Sequence, residues 1–207
     1  MRKIGLLLIA VMMILPAMAQ VSFGVRAGGA YSSLIQKVED TYEAGARFGF
    51  SIAGLADIPL SKNKKWSLRP EVAFVNQGGA YYSNQDIHGM ALHNKCWYYS
   101  LQIPVNVAYT FTFTDVHLSV FAGPTFDWSL FGKMKSRETN PDLHFGVSEE
   151  KDLKPCDFGM NVGLSVEYSN FFFSLCGMID RRALKRDGET SVYQNNVTFS
   201  LGYYFRK

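Results

Sequence analysis

Charged side chains interrupt apolar segments of this sequence at a few widely separated positions. Each of them alternates with apolar residues, so in an extended chain it shares a face with small polar side chains. Because a buried charge is costly unless it is paired, we predict an internal network of salt bridges and hydrogen bonds. The residues assigned to this network are Arg26, Arg47, Arg69, Glu71, Asp127 and Glu167.

Histidine and cysteine offer little basis for catalysis or metal binding. His117 lies beside Asp115, but no nucleophile can be assigned to the pair, and no G-x-S-x-G motif occurs. No Cys/His spacing is typical of zinc. We therefore predict no enzyme activity, no cofactor and no metal; a lipid-modifying enzyme is the catalytic alternative. Cys96 and Cys156 could form a disulfide, or both could stay thiols like Cys176.

Composition excludes several classes of protein. The chain has 207 residues, of which 47% are hydrophobic and 19% charged, and a net charge of +3. That apolar content excludes disorder, and so small a charge gives no electrostatic case for nucleic acid.

The first residues have the features of an export signal. Arg2 and Lys3 precede the apolar run from Ile4 to Leu15, and Ala17-x-Ala19 is a pattern that signal peptidase accepts. The apolar run is shorter than the ~20 residues of a transmembrane helix, which is the alternative. We predict a signal peptide over residues 1–19 and one domain over residues 20–207.

Hydrophobic residues recur with a period of two, which predicts β-strands. In the clearest case, Asp157 to Tyr168, one face is apolar and the other holds only small or polar residues and two acids. Six further segments follow the same pattern, three of them less cleanly. Phe171–Leu184 is a further predicted strand, in which the run Phe171-Phe172-Phe173 does not show which face is apolar. The eight predicted strands are Val21–Tyr31, Ala44–Ala56, Trp66–Gln77, Ser100–Phe111, His117–Leu130, Asp157–Tyr168, Phe171–Leu184 and Val197–Arg206.

Short and long connections alternate between these strands. Three are short, and four are longer: Ser32–Glu43, Gly78–Trp97, Gly132–Cys156 and Lys185–Gln194. Short turns at one end and long loops at the other are typical of outer-membrane barrels. The pattern predicts an all-β fold, an eight-stranded antiparallel up-and-down transmembrane β-barrel.

The distribution of lysine indicates which face is outside. We expect every lysine to lie in the signal, a loop, a turn or the terminus, whereas a soluble lipocalin-like barrel, the alternative, would expose lysine along its strands. The polar face would then fill the barrel, and the apolar face would contact lipid. Aromatic residues near the predicted strand ends fit the interfacial girdles of such proteins.

Six stretches of the chain carry a resemblance to a known family, and their order along the chain matters more than any one of them. The stretches are Phe23–Gly28, Leu68–Val72, Tyr99–Val105, Val120–Pro124, Asp157–Gly163 and Leu201–Phe205. Together they resemble the small outer-membrane β-barrel family of Gram-negative bacteria called porin-like or PorT-like. The resemblance implies an outer-membrane location and an eight-stranded barrel, and little about activity. Phe205 is followed by Arg206-Lys207, whereas outer-membrane proteins commonly end in an aromatic residue.

The function expected from these features is non-enzymatic. Eight strands leave a lumen that side chains fill, which favours a plugged anchor displaying surface loops for binding or envelope integrity. Alternatives are a component of a secretion or envelope assembly, a small polar channel, and a soluble binder. Expected partners are outer-membrane lipid and envelope proteins, not nucleic acid.

Overall fold

The computed structural model describes residues 21–38, 41–61, 63–83, 92–135, 142, 155–182 and 192–206. The predicted signal peptide, residues 1–19, lies outside these residues and stays a prediction. Within the described part of the chain, no helix has the length and hydrophobicity needed to span a membrane. The strands are β1 (Ser22–Val38), β2 (Thr41–Pro59), β3 (Trp66–Ser83), β4 (Leu92–Phe113), β5 (Val116–Lys135), β6 (Cys156–Tyr168), β7 (Phe171–Arg182) and β8 (Val192–Tyr204).

The eight strands form one closed antiparallel barrel. Each strand pairs with its neighbours in sequence, and β1 pairs with β8, from Gly24 opposite Tyr204 to Gln36 opposite Val192. Closure pairs backbone groups that an open sheet would leave at its edges, which a strand surrounded by lipid requires. The predicted all-β, eight-stranded up-and-down barrel is confirmed.

Burial along the strands is the reverse of that in a soluble protein. In β6, Phe158 is 73% exposed and Val162 63%, whereas the intervening Asn161 is 6% exposed. Glu167, further along the same strand, is 5% exposed. An apolar outer surface and a polar interior suit a barrel whose solvent is lipid, so the soluble lipocalin-like alternative does not hold.

Several strands extend further toward the long-loop end than hydropathy predicts. The segment Ser32–Glu43, predicted as a loop, is mostly a ladder in which β1 and β2 pair as far as Val38 and Thr41. β4 begins at Leu92 rather than Ser100, and β5 continues to Lys135. These extensions lack the apolar alternation of lipid-facing strands, so the sequence signal ends before the strands do.

The expectation that lysine is absent from strands is wrong. Lys37, Lys95, Lys133 and Lys135 lie within β1, β4 and β5. All four belong to the extensions at the loop side, the end of the barrel that carries the longer connections. Lysine is therefore excluded only from the central, lipid-facing part of the strands, where a charge is expensive.

The described strands differ in length. β6, β7 and β8 contain 13, 12 and 13 residues, slightly more than the ~9–11 that a tilted strand needs to cross a membrane. β4 contains 22 residues and β5 contains 20. The described ladder between β5 and β6 reaches Trp128 opposite Cys156, and Ser129 N donates to Pro155 O at 2.7 Å beyond it.

The turn side, the end with the short connections, has tight turns. Lys64, Thr114 and Ser169 have φ values of 54°, 32° and 56°, in the left-handed region. One lies in each connection, between β2 and β3, β4 and β5, and β6 and β7. These turns reverse the chain in a few residues.

Aromatic rings contact each other near both ends of the barrel. On the turn side, the ring centroids of Trp66 and Tyr109 are 4.9 Å apart. On the loop side, Tyr99 lies 4.8 Å from Phe131 and 5.5 Å from Phe74. Two such belts are expected where an outer-membrane barrel meets the two interfaces of the bilayer.

Candidate functional site: the polar interior

Inward-facing residues of all eight strands fill the lumen. Because side chains alternate across a strand, residues far apart in sequence meet at the same height. The charged and amide residues form three layers from the turn side to the loop side. We name them the turn-side ionic cluster (Asp57, Arg69, Glu167, Arg206), the central ion pair (Arg26, Glu71) and the loop-side amide cluster (Gln77, Ser100, Gln102, Asp127, Asn196).

Two arginines share one carboxylate in the turn-side ionic cluster. Arg69 Nη2 lies 3.4 Å from Asp57 Oδ2, and Arg206 Nη2 lies 3.1 Å from the same oxygen. Arg206 Nη1 also donates to Glu167 Oε1. Asp57, Arg69 and Glu167 are buried, while the Arg206 side chain is 31% exposed. Opposite charges therefore neutralise each other where the lumen approaches the turn-side mouth.

Hydroxyl groups accept the remaining hydrogen bonds of Arg69. Its Nη2 donates to Ser119 Oγ at 3.0 Å, and its Nη1 reaches Ser165 Oγ at 3.4 Å. Ser119 Oγ lies 2.8 Å from Thr110 Oγ1. These contacts join β3 to β4, β5 and β6 across the lumen.

The central ion pair crosses the middle of the barrel. Arg26 Nε donates to Glu71 Oε1 at 2.9 Å, and Nη2 reaches the same oxygen at 2.5 Å. Nη1 donates to Ser200 Oγ at 2.5 Å. The two interior cavities that the pair lines measure only about 30 and 20 Å³. Each has room for about one water molecule.

The loop-side amide cluster surrounds the carboxylate of Asp127. Asp127 Oδ2 accepts from Gln77 Nε2 at 2.9 Å and from Gln102 Nε2 at 2.8 Å. Gln77 Oε1 in turn accepts from Gln102 Nε2 at 3.2 Å and from Asn196 Nδ2 at 3.0 Å. Gln77 Nε2 also donates to Ser100 Oγ at 2.9 Å. All five members are buried, so this layer occupies the lumen above the central ion pair.

Arg47 lies apart from the other predicted members of the network. Its Nη1 donates to the Gln77 carbonyl oxygen at 3.3 Å, and its guanidinium lies 5.9 Å from the centre of the Trp97 ring. It borders an open cavity of about 510 Å³ at the loop side rather than the closed lumen.

The structure groups the six predicted residues differently from a simple pairing of three arginines with three carboxylates. Arg26 pairs with Glu71. Arg69 pairs with Asp57, and Glu167 pairs with Arg206. Sequence reasoning missed Asp57 because the strand was predicted to end at Ala56. The alternation that buries Ser51 and Ala53 continues to Asp57 and would have identified it. Arg206 ends the predicted strand Val197–Arg206 and continues the inward series of β8, but the predicted network did not include it.

The described residues contain little of what catalysis or metal binding needs. His117 Nδ1 lies 3.2 Å from Thr112 Oγ1 at the exposed turn side. No group of three or more His, Cys, Asp or Glu side chains in the described ranges could hold a metal ion. No disulfide joins Cys96, which is buried, to Cys156, which is exposed.

Comparisons with known proteins give one family and a set of similar folds. The family model described as outer membrane protein beta-barrel domain matches residues 17–179, most of the chain. A search of curated protein sequences finds no match.

Among solved structures, a major outer membrane protein from Thermus thermophilus has a TM-score of 0.50 and 13% identity, over 89% of this chain and 99% of that one. Neisserial surface protein A has a TM-score of 0.47 and 14% identity, over 89% and 99%. The attachment invasion locus protein of Yersinia pestis has a TM-score of 0.46 and 13% identity, over 89% and 98%. At such identities the likeness concerns the fold alone.

Proposed function

Because the chain belongs to the outer membrane protein beta-barrel domain family, and thus resides in the outer membrane, we propose that it is a plugged, non-enzymatic anchor. In this proposal the barrel is a rigid support that presents its loop-side segments to the cell exterior. There they bind a partner or contribute to envelope integrity, because loops on rigid scaffolds commonly carry binding.

The filled lumen is the observation that carries the proposal. Two successive layers, the central ion pair and the loop-side amide cluster, cross the barrel with buried side chains. Gln77 is 0% exposed and Asp127 1%. An open cavity of about 390 Å³ lies at the turn side, but it is lined by the turn-side ionic cluster and ends there. A solute entering from that side meets the turn-side ionic cluster first, and the ion pair of Arg26 and Glu71 lies beyond it.

Conductance of the purified chain in planar bilayers tests this proposal. We expect no stepwise current. An ion crossing the lumen would have to break charge-assisted hydrogen bonds between buried side chains, where the dielectric constant is low. Arg26→Ala/Glu71→Ala is the matched variant that removes the central ion pair and widens the lumen. Steady single-channel currents from the unmodified chain would instead support the small polar channel.

The non-enzymatic part of the proposal has a separate test. The exposed contact of His117 with Thr112 lacks the buried, oriented base and nucleophile that acyl transfer needs. We therefore expect lipid A of a deletion strain to have the same acylation and phosphorylation as that of the parent. A changed lipid A structure, restored by the intact gene and not by His117→Ala, would show an enzyme.

A further inference from the structure

The open cavity at the loop side has an unbalanced charge. It measures about 510 Å³ and contains three cationic side chains, those of Arg47, Lys95 and Lys135. Among the described residues that line it, none is acidic. Those residues are Ala46, Arg47, Phe48, Gly79, Ala80, Lys95, Trp97 and Lys135.

Two of these cations face each other across neighbouring strands. Lys95 of β4 and Lys135 of β5 are register partners, and both are exposed. Directly opposed like charges destabilise a sheet. Among the described residues no carboxylate forms an ion pair with either lysine, whereas nearby Lys133 Nζ lies 3.9 Å from Asp142 Oδ1. The pair lacks the compensation that its neighbour has.

The position of the cavity relative to the aromatic belt indicates its surroundings. Tyr99 and Phe131 are register partners in the loop-side belt, and Trp97 and Lys95 follow Tyr99 toward the loop side at two-residue steps. Each step covers about 7 Å along a strand. Two such steps place Lys95 about 14 Å along β4 from Tyr99. The lysines therefore lie on the loop side of the aromatic belt, in the region of the lipid headgroups. Phe48, at the edge of the cavity, is 70% exposed.

We propose that this basic cavity binds a phosphate group of an anionic lipid in the outer leaflet. The phosphate would lie between Lys95 and Lys135, with Arg47 as a third donor held over the Trp97 ring. Arginine and lysine donate strong, charge-assisted hydrogen bonds to phosphate. The lipid's chains would follow the exposed apolar face below, which includes Phe48 and Phe50. This site goes beyond the proposed anchor, since a conducting barrel could carry it equally well.

The test measures lipid bound to the full chain in phosphatidylcholine nanodiscs containing graded fractions of diphosphoryl lipid A. Mass spectrometry of the intact complex gives the occupancy. Lys95→Gln/Lys135→Gln should raise the lipid A fraction needed for half-occupancy roughly 25-fold, about fivefold for each cation lost near a lipid surface. Lys64→Gln/Lys65→Gln removes the same charge from the turn side and should leave the occupancy curve unchanged.

Three further measurements complete the test. They distinguish a lipid phosphate from inorganic phosphate, and a lost binding site from a misfolded variant. Lys95→Arg/Lys135→Arg should restore binding, because it keeps both charges. Fully dephosphorylated lipid A should bind the unmodified chain as weakly as diphosphoryl lipid A binds the glutamine variant. Displacement of the lipid by inorganic phosphate alone would overturn the lipid assignment. Equal lipid A binding by the two glutamine variants would overturn the site itself.

Discussion

Two halves of the same lumen fill their space by different chemistry. From the turn side to the middle, arginine and carboxylate side chains pair, as in Arg69 with Asp57 and Arg26 with Glu71. Toward the loop side, amide groups surround one carboxylate, that of Asp127. Both halves are buried and polar, yet their tolerance of change should differ.

The difference follows from the donor and acceptor groups. A guanidinium has donors and no acceptor. An arginine that loses its carboxylate therefore cannot form new hydrogen bonds to neighbouring donors by rotating its side chain. A glutamine amide presents an acceptor on one side and donors on the other, and rotation exchanges them. The ionic layers should therefore be rigid and intolerant of substitution, and the amide cluster adaptable.

Loss of Glu71 should have the largest effect. Glu71→Gln leaves Arg26 buried without a carboxylate, and removing one partner of a buried pair typically costs about 3 kcal/mol or more. We expect a decrease of about 3 kcal/mol in the free energy of unfolding, measured by urea titration in phospholipid vesicles. Arg26→Leu/Glu71→Leu removes both charges and should recover most of that loss. A Glu71→Gln variant as stable as the unmodified barrel would contradict a structural role for the pair.

A matched substitution in the two halves sharpens the comparison. Asp57→Asn and Asp127→Asn make the same chemical change. We expect about 2 kcal/mol of lost unfolding free energy at Asp57, which serves two arginines. At Asp127, where Gln77 and Gln102 can rotate, we expect about 1 kcal/mol. The same urea titration checks both. Equal losses, or a larger loss at Asp127, would show that the amide cluster does not adapt.

The smallest expected difference between the two halves comes from two buried hydroxyls. Ser119 Oγ accepts from Arg69 at 3.0 Å, whereas Ser100 Oγ accepts from Gln77 at 2.9 Å and reaches the Asp127 carboxylate only at 3.5 Å. Hydrogen bonds to charged groups contribute more than neutral ones, so Ser119→Ala should cost about 1.5 kcal/mol and Ser100→Ala about 1 kcal/mol. The measurement is the urea concentration at the midpoint of unfolding. It is compared between variants whose unfolding free energy depends on urea concentration with the same slope. The reverse order would mean that charge does not decide the strength of these contacts.

Sequence patterns predicted the fold because each lipid-facing strand repeats one simple rule. In β6, exposed Phe158, Met160 and Val162 alternate with small or polar residues over the whole strand. The described interior of the barrel is mostly polar, so the packing of an apolar core does not disturb that period of two. The prediction failed where the rule stops applying, as in β4 between Leu92 and Tyr99, where the strand continues beyond the lipid and no longer needs an apolar face.

The pairing of the interior residues could be predicted only in part. Inward parity identified Arg26, Arg69, Glu71, Asp127 and Glu167 as lumen residues, and each of them is buried or nearly so. The alternation of side chains shows whether a residue points inward, but not its position along the barrel axis. Strand stagger and bulges set that position. One such shift lies between Gly45 and Ser51 in the pairing of β2 with β3, close to Arg47. That residue consequently lies at the loop-side cavity.

The sequence by itself determined the alternation of side chains, the number of strands and the lipid-facing side of the strands that alternate clearly, because a period of two is a local property. The run Phe171-Phe172-Phe173 left that side open for β7. Only the tertiary structure decided which arginine meets which carboxylate, since closure of the barrel brings Arg206 to Asp57 and Arg26 to Glu71 across long stretches of chain. It also placed Lys95 opposite Lys135, a juxtaposition that depends on the register of two separate strands. Register follows from the stagger of the whole closed sheet, which no local segment encodes.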